Sequence, residues 1–359
     1  MPTDRGDHPG ATNSGAGARP RFAVLITDYA WPSLDPERAI LGALGTDLLV
    51  AETGAEEELI GLAPRADAIL TNWKPVTPAV LDAAPRCRIV SRYGIGLDNI
   101  AVERATELGI PVTNVPDFCL DEVSDHALAL LLACARQIVP LARATRDGVW
   151  RQPPADRPLP RLRGQTLGLV GYGQIARALV PKALGLGLRV MAYTPRLPAD
   201  ALAPFGTATN DLAALLGAAD YVSLHVPVTA ETRGLIDAGA LRRMKPTAYL
   251  INTARGALVD ERALHRALAE GWIAGAALDV LAHEPPDPAD PLLALDNVIA
   301  TPHVAFSSAA SIDDLQRRAA GHVAQSLRGE TPDHVVNPAV LRQPNYRGRR
   351  EGAGVKREA

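Results

Sequence analysis

The sequence predicts an α/β protein made of two doubly wound parallel-sheet domains with a cleft between them. Three observations predict it. Short apolar runs alternate with helix-period segments along most of the chain, the pattern of open parallel sheets covered on both faces. The alternation falls into two blocks, separated by a long helical stretch and a Pro-rich segment. Only the second block contains a glycine turn of the phosphate-binding kind, Gly171-Tyr-Gly-Gln-Ile-Ala176. At 359 residues, 47% of them hydrophobic, the chain is long enough to bury two such cores.

Taken in order, residues 1–20 are polar and rich in Gly, Pro, Ser and Thr, and are expected to be a disordered tail. From Arg21 the periodicity predicts strand 22–27, helix 35–44, strand 47–51, helix 56–62 and strand 66–71. Helix 77–84, strand 88–91, helix 102–108 and strand 110–114 complete the first block. A helical pattern from Asp121 to about Arg146 follows, its apolar positions reading as core or interface, with a kink expected at Pro140. Residues 152–160 read as an exposed Pro-rich loop. The second block begins with the apolar run 167–170 and continues to about His303; 308–327 is a closing helix. The charged end, 341–359, is expected to be disordered.

Composition excludes several classes. A net charge of −3 gives no electrostatic case for direct nucleic-acid or membrane-surface binding, and no apolar run has the length of a membrane span. The polar N-terminus lacks a hydrophobic signal core, so a cytoplasmic location is expected. Cys87, Cys119 and Cys134 are odd in number and at unrelated spacings, which fits reduced, inert thiols and no metal site.

The glycine turn carries the first functional signal. The run from Leu167 to Val170 reads as a strand, and Ala178, Leu179, Ala183 and Leu184 lie at helical spacing beyond the turn. Strand, turn and helix together are the context that G-x-G-x-x-G/A requires. Gly171 permits the tight turn, Gly173 allows a pyrophosphate to approach the backbone, and Ala176 keeps the helix near the strand. The first helical N–H groups then face the phosphates. Dinucleotide binding is expected here, with Gln174 and Ile175 at the helix start.

The second signal lies at three later strand ends, where open α/β sheets bind ligands. Strand 248–252 ends in Thr253-Ala-Arg255-Gly, strand 275–278 in Asp279 followed by His283-Glu284-Pro, and strand 298–300 in Thr301-Pro-His303. One strand–helix–strand step or less separates Arg255, Glu284 and His303, so they are able to converge. A histidine after a strand is more often structural; with Arg255, Glu284 and the glycine turn beside it, the catalytic reading of His303 is preferred. His283 reads as a loop residue and His225 as lining a cofactor cleft without titrating. Asp98 and Asn99 read as turn and cap residues, and Arg92 as a surface or domain-interface charge.

In combination and order, several segments resemble the signatures of the D-isomer-specific 2-hydroxyacid dehydrogenases. They are Tyr93-Gly-Ile-Gly-Leu-Asp-Asn99, Val170-Gly-Tyr-Gly-Gln-Ile-Ala176, His225-Val-Pro-Val-Thr-Ala-Glu-Thr232, Ile251-Asn-Thr-Ala-Arg-Gly-Ala-Leu-Val-Asp260, Ala277-Leu-Asp-Val280 and Thr301-Pro-His303. The resemblance implies a flavodoxin-like catalytic domain, discontinuous over 21–117 and 305–340, and a Rossmann cofactor domain over 118–304. It implies hydride transfer between a nicotinamide coenzyme and a D-2-hydroxy acid/2-oxo acid pair, in a homodimer built through the region 121–160. By analogy His303 is the proton donor, and Glu284 pairs with it, favouring imidazolium. Arg255 offers a fixed fork of donors to the substrate carboxylate and carbonyl. Asp279 is expected to hold the nicotinamide carboxamide, with Val226, Pro227 and Thr253 also lining the coenzyme. The backbone of Ile95 and Gly96 is expected to cradle the carboxylate, and Phe306 to meet the substrate.

Coenzyme choice departs from the common pattern. NAD-preferring members place an acidic residue at the end of the second cofactor-domain strand. Thr194 occupies that place here and Arg196 follows. An Asp would repel a 2′-phosphate; Thr with Arg favours it, so the reading leans to NADP(H) over NAD(H). No regulatory domain follows Val340, which speaks against the long serine-sensing phosphoglycerate dehydrogenases. Val304-Ala-Phe306 points towards the lactate-dehydrogenase-type and C-terminal-binding-protein-like branches. The rival reading is a dinucleotide-sensing corepressor-like binding protein with incidental dehydrogenase activity.

Overall fold

Two parallel sheets organise the chain, one of five strands and one of seven. The computed structural model describes residues 21–150, 159–195, 198 and 200–348. These divide into two compact units: residues up to Pro116 together with those from Leu315 onward, and Asp117–Asp314.

In the first unit β1 (Phe22–Ile26) buries Val24, Leu25 and Ile26 completely. After it come α1 (Asp35–Gly42), β2 (Thr46–Val50), α2 (Glu56–Leu62), β3 (Ala68–Thr71), α3 (Pro78–Asp82), β4 (Val90–Arg92), α4 (Val102–Glu107) and β5 (Val112–Thr113). The strands are all parallel, in the order β2-β1-β3-β4-β5. Parallel strands need covered faces and crossover helices, which explains their near-continuous apolar runs. Arg92 is a departure from its reading as a surface charge: it is 8% exposed, and its guanidinium donates to Asn72 Oδ1 at 3.2 Å and to the Tyr93 carbonyl. The C-terminal end also differs from expectation. Residues 341–348 pack on this unit, with Arg347 N donating to Gly109 O at 2.9 Å and Asn345 Nδ2 to Glu107 O at 2.9 Å. Gly109 makes this possible: at φ +75 it lacks the Cβ that would lie 2.1 Å from Asn345 O. The tails 1–20 and 349–359, and most of the Pro-rich loop, lie outside the described residues.

The second unit opens with α5 (Leu120–Ala135) and α6 (Ile138–Arg146). The expected single helix is broken, but at Gln137 (φ 50), upstream of Pro140, and the two parts are bent by 59°. Proline clashes with the carbonyl four residues before it, here Arg136, while in the first turn of a new helix its missing N–H costs nothing. The break therefore precedes the proline. Among the described residues no single helix is long and apolar enough to cross a membrane.

The sheet of this unit comprises β6 (Thr166–Val170), β7 (Arg189–Tyr193), β8 (Thr207–Thr209), β9 (Tyr221–Leu224), β10 (Tyr249–Asn252), β11 (Gly275–Leu278) and β12 (Val298–Ala300). It is parallel throughout, in the order β12-β11-β10-β9-β6-β7-β8. The order reverses at β6, which pairs with β7 on one side and β9 on the other. Ligands of open α/β sheets bind at such a reversal. The helices α7 (Gln174–Gly185), α8 (Leu212–Ala218), α9 (Ala238–Arg243) and α10 (Glu261–Ala269) cover the faces. Asp211, Asp237 and Asp260 cap the last three by accepting a backbone N–H. The closing helix α11 (Ala309–Leu327) begins here and continues into the first unit, where Ser91 Oγ donates to Ala319 O at 3.1 Å.

Candidate active site

The glycine turn sits at the sheet reversal. Gly171 has φ +99, and a Cβ there would come within 2.7 Å of His225 O and of Val226 Cγ1. Only glycine lets the turn after β6 lie against the loop after β9. Gly173 faces open space, with nothing within 4 Å of where a Cβ would be. Ala176 is fully buried against the sheet. No side chain caps α7, so its first N–H groups remain for a ligand. Thr253 Oγ1, after β10, is buried without a partner. An open glycine, an uncapped helix start and an orphaned hydroxyl along the carboxyl ends of the strands fit a dinucleotide. Gln174 is exposed at the helix start, with Ile175, Val226 and Pro227 around the turn.

Next to it, His225 is half-buried and accepts or donates through Nε2 to Ser223 Oγ at 2.9 Å. Burial pushes its imidazole down to about 4, so it is neutral near pH 7. The cysteines are equally inert: Cys87, Cys119 and Cys134 are buried, and burial raises each thiol to about 12.

The three strand-end loops do bring Arg255, Glu284 and His303 together. His303 Nδ1 lies 2.6 Å from Glu284 Oε2. Glu284 Oε1 accepts from Leu281 N at 2.9 Å. Burial works to raise the Glu284 carboxyl, but the hydrogen bond and charge of His303, the Leu281 N–H and the Arg255 charge outweigh it and hold it below its ordinary value. An ionised Glu284 can only accept, so Nδ1 carries hydrogen and Nε2 is the ring nitrogen left for a reacting group. Arg255 donates to Ala254 O at 2.7 Å, while Asn252 fixes the turn around it, accepting from Ala254 N and donating to Arg255 O.

The backbone of His303 is unusual. At φ 52 it occupies the left-handed region, which costs a non-glycine residue about 1–3 kcal/mol. Its N–H donates to Asp279 O at 2.8 Å and Thr301 O at 3.0 Å. Asp279, 1% exposed, turns both carboxylate oxygens to the same segment: Oδ1 accepts from Thr301 Oγ1 and Val304 N, Oδ2 from Ala305 N. Phe306 stacks edge-on to His303, ring centroids 6.2 Å apart, and faces Phe118 at the same distance.

Other expected site residues fall elsewhere. Ile95 and Gly96 belong to the first unit, in the loop after β4, where Asn114 Nδ2 donates to Ile95 O at 2.8 Å. Thr194 closes β7, 6% exposed, its N–H donating to Thr209 O at 2.9 Å; Arg196 lies outside the described residues. Sequence reasoning missed His126 on α5, whose Nε2 lies 3.0 Å from Thr301 Oγ1. It sits in a helix that reads as core, and nothing local marks a partner so distant along the chain.

Comparison with known proteins gives the family. Residues 128–305 match the model of the D-isomer specific 2-hydroxyacid dehydrogenase NAD binding domain. A curated glyoxylate reductase of Korarchaeum cryptofilum is 44% identical over 75% of this chain and 81% of its own length. The crystal structure of an NADPH-dependent glyoxylate/hydroxypyruvate reductase from Sinorhizobium meliloti aligns with a TM-score of 0.77 at 30% identity, covering 88% of this chain and 98% of that one. The D-lactate dehydrogenase of Aquifex aeolicus, crystallised with NAD and lactic acid, aligns with a TM-score of 0.77 at 27% identity, covering 86% and 96%. The comparisons give the corepressor-like reading no support.

Proposed function

The chain belongs to the D-isomer specific 2-hydroxyacid dehydrogenases, nicotinamide-dependent oxidoreductases of 2-hydroxy acids, and from that premise we propose that it reduces a short 2-oxo acid of the glyoxylate class with His303 as proton donor. One observation carries the residue assignment: His303 Nδ1 is engaged by Glu284 at 2.6 Å beside Arg255, leaving Nε2 to deliver a proton.

In this reading the bound coenzyme supplies the hydride. Arg255 grips the substrate carboxylate and carbonyl oxygen with its planar fork, aligning the carbon. His303, its Nδ1 held by Glu284, gives its Nε2 proton to the carbonyl oxygen as the negative charge develops there. Phe306, packed edge-on to the catalytic ring, limits the substrate tail, which favours a small acid. Gly171, Gly173, Gln174 and Ile175 take the pyrophosphate; Val226, Pro227, Thr253 and Asp279 line the nicotinamide side. The absence of an acid at Thr194 supports NADP(H) over NAD(H), and the NADPH-dependent reductase of Sinorhizobium meliloti is consistent with that choice.

Steady-state reduction of glyoxylate, hydroxypyruvate and pyruvate with each coenzyme tests the reading. Turnover is expected with at least glyoxylate. Coenzyme binding without turnover on all three would return the protein to a dinucleotide-sensing role.

A homodimer formed through 121–160 is part of the same proposal. No residue of α6 is buried, while Ile138, Val139 and Val149 are 55%, 39% and 38% exposed and Trp150 is 90% exposed. Exposed apolar side chains at the start of α6 and just beyond its end support an interface there. Light scattering at micromolar concentration should give twice the chain mass, and Ile138→Asp with Trp150→Asp should halve it. A monomeric wild type would refute it.

A further inference from the structure

The segment that carries His303 is gripped at both ends by one face of α5. Glu122 and His126 are one helical turn apart on that face. Glu122 Oε1 accepts from Ser308 Oγ at 2.7 Å, and His126 Nε2 reaches Thr301 Oγ1 at 3.0 Å and Asp279 Oδ1 at 3.5 Å. The direction of the His126 bond follows from proton inventory. A hydroxyl has one hydrogen. That of Thr301 is donated in the 2.6 Å bond to Asp279 Oδ1, and the two oxygens of that buried carboxylate also accept the N–H groups of Val304 and Ala305. Thr301 Oγ1 can then only accept from the imidazole, so His126 Nε2 carries a hydrogen.

We infer that His126 is a positioning residue for the proton donor: its Nε2–H, acting through Thr301 and Asp279, fixes residues 301–305 in the conformation that aims His303. This rests on the reading of His303 as the proton donor.

The need for such a device is visible in the backbone. His303 adopts a left-handed conformation that persists only where its surroundings over-determine it. The stretch is otherwise held by Leu278 O through Thr301 N, by Glu284 through the His303 ring, and by Asp279 through its carbonyl and both carboxylate oxygens. His126 is the side chain that satisfies Thr301 from the far side and sets an N–H dipole against the buried carboxylate. The other charges of that helix stretch have their own partners: Asp121 and Asp125 lie 3.5 and 2.6 Å from Lys182 Nζ, and Glu122 holds Ser308 at the far end of the segment. Loss of the His126 donor would leave Thr301 free to rotate away from Asp279. The segment would then relax towards ordinary φ and carry His303 off line, and a displacement of about 1 Å costs on the order of a hundredfold in rate.

Two variants separate this from simple packing. His126→Gln keeps an N–H donor at the reach of Nε2; His126→Met keeps the length and removes the donor. For 2-oxo acid reduction, His126→Met should lower kcat about ten- to a hundredfold with the coenzyme Kd within about twofold of wild type, and His126→Gln should restore kcat to within about threefold. Full kcat in His126→Met, or an equal loss in both variants, overturns the inference. A second readout needs no turnover. With 15N-histidine labelling the eight histidines give a sparse spectrum. The downfield His303 Nδ1–H bonded to Glu284, identified by its absence in His303→Gln, should shift or vanish in His126→Met and persist in His126→Gln. An unchanged signal in His126→Met refutes positioning. A wild type that reduces no 2-oxo acid refutes instead the role of His303, while the spectrum still decides whether His126 positions it.

Discussion

Gly256 and Leu281 lie main chain against main chain: a Cβ on Gly256 would stand 2.0 Å from the Leu281 carbonyl carbon and 2.3 Å from Ala282 N. This contact seats the loop bearing Arg255 on the loop leading to Glu284. Glycine is required by space rather than by φ, since no side chain fits between two backbones. Gly256→Ala is expected to force the loops apart, costing about 1–3 kcal/mol of stability as an overpacked site does. Catalytic efficiency should fall with it. Thermal unfolding and kcat/KM for glyoxylate measure both; a variant unchanged in each would mean that the loops separate freely and do not depend on one another.

The Glu284–His303 pair predicts an asymmetric response. His303→Ala should lower turnover about a hundred- to ten-thousandfold, the range for a lost general acid, with coenzyme binding near wild type. The Glu284 carboxyl is held below its ordinary value because the hydrogen bond and charge of His303 outweigh its burial. In Glu284→Gln the imidazolium loses its anionic partner. Reduction needs the protonated ring, so the alkaline limb of its pH–rate profile should move to lower pH. An unshifted limb would detach Glu284 from the proton transfer.

Much of this site was legible in the residues because strand ends are where short apolar runs stop. Arg255, Asp279 and His303 each follow such a run, and β11 and β12 begin and end where the apolar pattern does. What escaped depends on contacts between distant segments. The expected helix 121–146 breaks at Gln137 because a proline acts on the carbonyl four residues upstream. Arg92 is buried because the Asn72 amide and the Tyr93 carbonyl happen to lie within its reach. Residues 341–348 are anchored by a glycine, Gly109, that no local pattern links to them. His126 is invisible for the same reason.

His322 predicts an acid limit on folding. It is 4% exposed with Nδ1 unpartnered, and burial, reinforced by His334 and Arg318 against the opposing charge of Asp333, lowers it to about 4. The unfolded chain takes up this proton near pH 6.5, whereas the folded chain resists until about 4. Between those values the unfolded state binds more protons, so stability rises with pH and is lost as pH falls through the window. The loss attributable to this residue is about 3 kcal/mol at most. His322→Leu should therefore flatten the stability–pH curve between about pH 6.5 and 4, whatever its effect at pH 8. Urea unfolding at several pH values measures this, and an unchanged slope would place the acid sensitivity elsewhere.

Coenzyme preference is expected to turn on the end of β7. Gly171 N donates to Tyr193 O at 3.0 Å, so the phosphate turn and the residue after Tyr193 are neighbours across the sheet reversal. That residue is Thr194, at the position where an acid would accept bonds from the ribose hydroxyls. A threonine neither repels a 2′-phosphate nor competes for both hydroxyls, and Arg196, two residues on in sequence, adds a positive charge to the same stretch. A charge-assisted hydrogen bond contributes on the order of 1.5–3 kcal/mol, a preference of roughly tenfold to a hundredfold for NADPH. Thr194→Asp is expected to reverse it, because the carboxylate meets the phosphate as a like charge and the free ribose as an acceptor. Arg196→Ala is expected to weaken NADPH and leave NADH nearly untouched. Dissociation constants of both coenzymes for the three proteins decide the matter. A wild type that prefers NADH, with a selectivity indifferent to Arg196, would leave Thr194 as a ribose contact that a hydroxyl serves as well as an acid.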